Sequence, residues 1–276
     1  MKIKLGEESG HPHIPVMING KGPFTFVLDT GASVSTLSKS LAEELGISTY
    51  EGDKKKAAGV GGKIIPIQTA RLDTLEIGTL SLKDEEVGVM DFQACGTSGV
   101  IGYSTLKDYT MRLHYGSLDL TLEKRNGGDP KDSLDWISFK YLQDSHLIGV
   151  PVHINNHGPF DFILDTGSSG NVMTPLNAKE IGVPDMSSAE PIEGQGCSGG
   201  ECSGVGGTVR GYAVKVGKLA IGSAELNDTL MGVIDLAVVS PDGKKIDYGI
   251  IGYPFLKNYE LVIDYPEKKL ALVEYN

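Results

Sequence analysis

The chain has 276 residues, 40% of them hydrophobic, with 37 Gly and three Cys. That length accommodates two ordinary domains and rules out a disulfide-stapled miniprotein, and the hydrophobic content rules out disorder over the whole chain. With 25 Lys and Arg against 36 Asp and Glu the net charge is −11, a sign that repels phosphate backbones and anionic lipid, so neither nucleic acid nor membrane is an expected partner.

No apolar run approaches the roughly 18 residues that span a bilayer, and Met1 to Glu8 lack the apolar stretch of a signal peptide. A cytoplasmic location is expected ahead of a secreted or periplasmic one with its leader removed. In chain order, 24–28 is a short run of aromatic and β-branched residues, entered by Gly22-Pro23 and left through Asp29-Thr30-Gly31. That is the pattern of a strand ending in a tight turn. Residues 37–45, with Gly46 beyond them, read as a short helix. Gly59-Val60-Gly61-Gly62 marks a Gly-rich turn, and 109–122 reads as a hairpin turning near Gly116. The polar run 124–133 carries Gly-Gly and Asp-Pro breakers and reads as a linker.

Beyond the linker the same elements return. The run 160–164 ends in Asp165-Thr166-Gly167, an offset of 136 from Asp29. A shorter helix is expected at 175–181. Gly204-Val205-Gly206-Gly207 repeats the first Gly-rich turn at an offset of 145, and Ile77-Gly78 returns as Ile221-Gly222 at 144. Val100-Ile101-Gly102-Tyr103 returns as Ile250-Ile251-Gly252-Tyr253 at 150. A hairpin at 259–273 closes the chain. Four blocks in order with a drifting offset mark a tandem duplication with loop insertions. The insertions fall at 194–203 and 236–247, both of loop composition. Domains are expected at 1–123 and 134–276. Frequent Gly turns and little helix make each a small closed or packed β domain.

Each copy sets one Asp after an apolar strand and before a Gly. Backbone N–H groups can approach a carboxylate there, and a pseudo-twofold brings the two acids to one axis. Alone, either tripeptide is an ordinary turn. Paired at equivalent positions, they point to acid–base chemistry. Two like charges about 3 Å apart, at an effective dielectric near 20, repel by about 5 kcal/mol, which equals about four pKa units. Such a pair shares one proton: the ionised member serves as a general base for water, and the protonated one supports the oxyanion and then the leaving amine. That chemistry needs no cofactor and no metal.

The motifs Asp29-Thr30-Gly31-Ala32-Ser33 and Asp165-Thr166-Gly167-Ser168-Ser169, the blocks ending at Gly102 and Gly252, and the two GVGG segments resemble the pepsin–retropepsin superfamily of aspartic proteases. The resemblance runs from about Pro15 to Val273. It implies an all-β, bilobal chain of two retropepsin-like acid protease β-barrels, with Asp29 and Asp165 catalytic. It also implies Thr30 and Thr166 interlocked by their hydroxyls, and support from Gly31, Ala32, Gly167 and Ser168. The GVGG segments would be two flaps over an extended polypeptide substrate, without the Tyr of the single pepsin flap, and the cleft would prefer apolar side chains. The expected molecule is a monomeric aspartic endopeptidase resembling a fused retropepsin dimer. The alternatives are a non-catalytic peptide-binding module and halves that pair between chains. A Ser168 hydroxyl near Asp165 would favour its charged form, so Asp165 is expected to ionise more readily than Asp29.

Other motifs carry less. Gly194 to Gly199 matches a dinucleotide fingerprint without its strand and helix, and Gly196 to Gly200 matches a nucleophile elbow around Ser198 inside an inserted loop. Cys197 and Cys202 are compatible with a disulfide or with free thiols, and Cys95 with simple packing. The six His form no ligand set.

Overall fold

Strands dominate the computed structural model, which describes residues 1–6, 10–51, 56–57, 65–91, 97–124, 134–142, 145–183, 191, 197–198, 200–204, 207–236 and 247–275. In the first half, Pro12–Ile18 alternates inward and outward positions, with Ile14, Val16 and Ile18 buried. This is the period of a strand with one face on a core. It pairs antiparallel with Lys21–Leu28 on one side and with Gln68–Ile77 on the other. Between those two lie Gly99–Ile101, Thr36–Ser38 and Leu80–Met90, in that spatial order, so six strands close into a barrel. The second half repeats the closure with Ile148–Ile154, His157–Leu164, Gly249–Ile251, Val172–Met173, Ala224–Ile234 and Gly207–Ile221. The all-β, bilobal, two-barrel reading holds.

One feature of each barrel places the functional turn. Gly99–Ile101 runs parallel to the end of Lys21–Leu28, with Ile101 beside Leu28, and Gly249–Ile251 does the same with Ile251 beside Leu164. Phe26, Val27 and Leu28 are all buried, so this strand end is covered on both faces. A rigid, buried strand therefore delivers each Asp.

The first helix is Lys39–Leu45, not 37–45. Ser38 caps it, its Oγ accepting from Leu41 N–H at 3.1 Å, and Gly46 ends it at φ 68. Thr36–Ser38 is instead a buried strand paired with residues 88–90; the barrel claims those residues before the helix begins. Its counterpart in the second half, Pro175–Glu180, starts from Thr174 with a capping box to Asn177 and Pro at its first position.

The two barrels share a sheet. Hairpins Tyr109–His114/Asp119–Lys124 and Tyr259–Asp264/Lys269–Glu274 pair through their first strands, antiparallel, from Thr110 opposite Asp264 to His114 opposite Glu260. Ile137–Ser138 adds a fifth strand. One buried cluster, including Leu113 from the first half and Leu261 from the second, runs through both halves. Of the expected linker only Lys124 is described, as a strand end, and 125–133 lie outside the described residues.

The insertion 194–203 is not simply a loop. Cys197–Ser198 pairs with Glu201–Gly204, which pairs with Gly207–Ile221. Cys197 and Cys202 stand opposite each other and are joined by a disulfide. Cys202 is buried beside Ile163, Ile234 and Ile250, an apolar attachment that the local Gly and Ser content conceals. Cys95 lies outside the described residues.

Candidate active site

Asp29 and Asp165 meet where the two barrels abut. Asp29 N–H donates to Ile101 O at 3.0 Å, and Asp165 N–H to Ile251 O at 2.9 Å, so the parallel strands fix each turn from behind. Gly31 N–H donates to Asp29 Oδ1 at 2.7 Å and Gly167 N–H to Asp165 Oδ1 at 2.8 Å. Each glycine also abuts the other half's acid. A Cβ on Gly31 would lie 2.7 Å from the Asp165 carboxyl carbon, and one on Gly167 would lie 2.5 Å from that of Asp29. Only hydrogen fits between the turns at those distances.

Behind the acids the turns are knotted together. Thr30 Oγ1 donates to Leu164 O (2.8 Å) and accepts from Thr166 N–H (3.0 Å). Thr166 Oγ1 donates to Leu28 O (2.7 Å) and accepts from Thr30 N–H (3.1 Å). All four bonds cross from one half to the other, and both threonines are buried, at 2% and 0% exposure. Each hydroxyl thus satisfies two backbone groups of the opposite strand end that water does not reach.

The two carboxyls hydrogen-bond to each other. Both residues keep partial solvent exposure, although protein packs densely around their carboxyls. Burial raises both above the usual carboxylate range. The neighbouring Asp29 charge adds to the rise at Asp165, while the hydrogen bond from Asp165 and N–H donors from Gly31 and Ala32 restrain it at Asp29, and N–H donors from Gly167 and Gly31 restrain it at Asp165. The pair therefore shares one proton. The ground for expecting Asp165 to ionise more readily, a Ser168 hydroxyl aimed at it, is absent. That hydroxyl donates to Gly170 O at 3.0 Å and accepts from Gly170 N–H at 3.4 Å, so it closes its own turn instead of donating to Asp165.

Two supports escaped the sequence reading. Ser35 Oγ accepts from Gly102 N–H at 3.0 Å, and Asn171 Oδ1 accepts from Gly252 N–H at 3.0 Å. Both acceptors sit six residues after their Asp, at the 136-residue offset of the motifs themselves, which is the signal that would have found them. They anchor glycines whose backbones press on the Asp-Thr-Gly turns. A Cβ on Gly102 would meet Ala32 O at 2.5 Å, and one on Gly252 would meet Ser168 O at the same distance.

Of the expected flap residues, Gly59, Val60, Gly61, Gly62, Val205 and Gly206 lie outside the described residues. Gly204 and Gly207 pair with each other at the end of their hairpin. Ser198 lies on a strand of that hairpin rather than on a strand-to-helix elbow. Among the described residues no group of three or more His, Cys, Asp or Glu is arranged to hold a metal, and no helix is long and apolar enough to cross a membrane.

Comparison with known families gives a match to an aspartyl protease model over residues 14–105 and again over 150–255. The two matches cover the two barrels and the two Asp-Thr-Gly turns. Comparison with curated protein sequences gave no match.

Proposed function

The chain belongs to the aspartyl protease family, and from that premise we propose that it is an aspartic endopeptidase in which Asp29 and Asp165 share one proton and activate a water against a peptide carbonyl. The observation that carries this reading is the hydrogen bond between two carboxyls supplied by different halves of the chain. Each Oδ1 is occupied by a glycine N–H, which leaves the other oxygens for water and substrate. Asp29, the ionised member, takes a proton from water as general base. Asp165 donates its proton to the carbonyl oxygen as the tetrahedral gem-diol forms; on collapse the C–N bond breaks, the proton gained by Asp29 goes to the leaving amine, and a gem-diol hydroxyl returns its proton to Asp165.

The family implies a polypeptide substrate; in this reading it binds extended and adds as a strand beside the hairpin that Gly204 and Gly207 close. The crossed threonine bonds within one chain support a monomer that makes its own pseudo-dimer.

The test is hydrolysis of an unfolded protein between about pH 3 and 7, a range around the titration of such a pair, with and without pepstatin. Asp29→Asn and Asp165→Asn are each expected to lose all but background cleavage while keeping the fold. Equal cleavage by wild type and both variants would refute the dyad.

A further inference from the structure

Behind the catalytic turns lie two tyrosine pairs that the chemistry of the acids does not by itself demand. Tyr103 N–H donates to Ala32 O at 2.8 Å, and Tyr253 N–H to Ser168 O at 2.9 Å, so each residue is held directly on a turn that carries an Asp. Their rings then cross to the opposite half. Tyr103 meets Tyr265 at 5.9 Å between centroids with a 63° interplanar angle, and Tyr253 meets Tyr115 at 5.8 Å and 56°. The near-identical geometry follows the duplication, since Tyr115 and Tyr265 are 150 residues apart, like Gly102 and Gly252.

Tyr115 and Tyr265 immediately follow the two central strands of the shared sheet and are 4% and 2% exposed. Among the described residues neither hydroxyl has a hydrogen-bond partner. A buried hydroxyl without a partner is a net cost that phenylalanine would avoid, and this chain carries it twice at equivalent places. Both lie within electrostatic reach of the dyad, Tyr115 of Asp165 and Tyr265 of Asp29. Burial first pushes both phenols far above their usual range, followed by Asp165 at Tyr115 and by Tyr141 and then Asp29 at Tyr265. They stay neutral throughout the acid range. A neutral phenol keeps one proton to donate, and its dipole turns in the field of a buried anion.

We propose that Tyr115 and Tyr265 are positioning residues of the acid pair, their buried hydroxyls pointing their protons toward the charged carboxyls from opposite halves and lowering the pH at which the pair ionises. This rests on the reading of Asp29 and Asp165 as a proton-sharing pair. Tyr275 and Tyr253 also bear electrostatically on Tyr115, and Tyr141 and Tyr103 on Tyr265. Outside them His114 stacks on Tyr275 and His146 on Tyr103, and Lys257 and Lys268 lie over the rings of Tyr253 and Tyr141. With so many polar rings and cations around the phenols, the readout must come from the aspartates themselves.

The experiment is a carbon-13 titration of the full chain labelled at its Asp carboxyls, from about pH 2 to 9. Asp29→Asn and Asp165→Asn assign the coupled signals. Tyr115→Phe and Tyr265→Phe are each expected to raise the upper midpoint of the pair by about half a unit or more, and the double variant further, because the charged form loses a nearby phenol dipole. The thermal midpoint is expected to stay or rise, and the alkaline limb of kcat/KM, where the shared proton is lost, to move up with that midpoint. Carboxyl midpoints that superimpose on wild type, or fall, would overturn the proposal whatever the stability. Site-specific 3-fluorotyrosine, a stronger donor in the same volume, must shift the midpoint the other way and serves where Phe prevents folding. An inactive wild type whose carboxyls still respond would remove the hydrolase reading alone; an active one with unmoved midpoints would remove only this inference.

Discussion

Replacing Thr166 by Val removes one hydroxyl and almost no volume. The Thr166 hydroxyl satisfies Leu28 O at 2.7 Å and Thr30 N–H at 3.1 Å, and both backbone groups lie at a buried strand end. Leaving a buried backbone group unpaired costs about 1–3 kcal/mol, so two orphans give about 2–6 kcal/mol. Thr30→Val orphans the mirror pair, Leu164 O and Thr166 N–H, and its loss is expected to match within about 1 kcal/mol, the spread of a net hydrogen bond. Set against a typical total of about 5–15 kcal/mol, either variant survives with reduced stability, and the double variant orphans four groups and approaches collapse. Urea unfolding followed by far-UV circular dichroism and by Tyr fluorescence reads the cost and tests whether both halves unfold together. Thr166→Ser keeps the hydroxyl and is expected to stay within about 1 kcal/mol of wild type, the loss of one methyl group. A Thr166→Val loss below about 1 kcal/mol, less than one orphaned group, would refute the claim that the crossed bonds hold the halves together.

Other consequences are open to direct measurement. Gly31→Ala would place a methyl 2.7 Å from the Asp165 carboxyl carbon, so cleavage should fall by at least about a hundredfold, the scale of misplaced catalytic groups, and near-normal activity would contradict the close crossing. His11 is held down to about pH 4 by burial first and then by His13. A depressed histidine contributes stability above its unfolded pKa of about 6.5, lost as the pH falls from there towards about 4. His11→Gln should therefore flatten the decline in thermal midpoint across that window, and an unchanged slope would count against it. The Cys197–Cys202 bridge closes a loop with a sequence separation of 5, so the double Cys→Ser variant should lose about 2 kcal/mol at most. Proteolysis should then cut first within that hairpin; global unfolding on reduction would show the bridge to be doing more.

The duplication and its acid pair were legible because they rest on short-range rules. An apolar run ending in Asp-Thr-Gly needs only local sterics to be read as a strand and turn, and its recurrence supplies the symmetry. Residues 109–122 and 259–273 were likewise readable as hairpins, but nothing local says that Tyr109–His114 pairs with Tyr259–Asp264; that contact is set by the docking of two whole barrels. Ser168 misled for a similar reason. Residue type said that a hydroxyl was near Asp165, whereas its direction was decided by a closer acceptor, Gly170 O. The segment around Cys202 read as loop because its Gly and Ser content masked one apolar side chain, enough to pin a strand against Ile163 and Ile250.

The glycine of each turn lies against the acid of the other, and this binds the two copies into a common fate. A change at Gly31 is felt by Asp165, and a change at Gly167 by Asp29, so neither repeat can drift as a spare while its twin preserves the work. Duplicated genes ordinarily gain freedom from redundancy. In this chain the second copy gives none, because each repeat is completed by backbone that only the other provides.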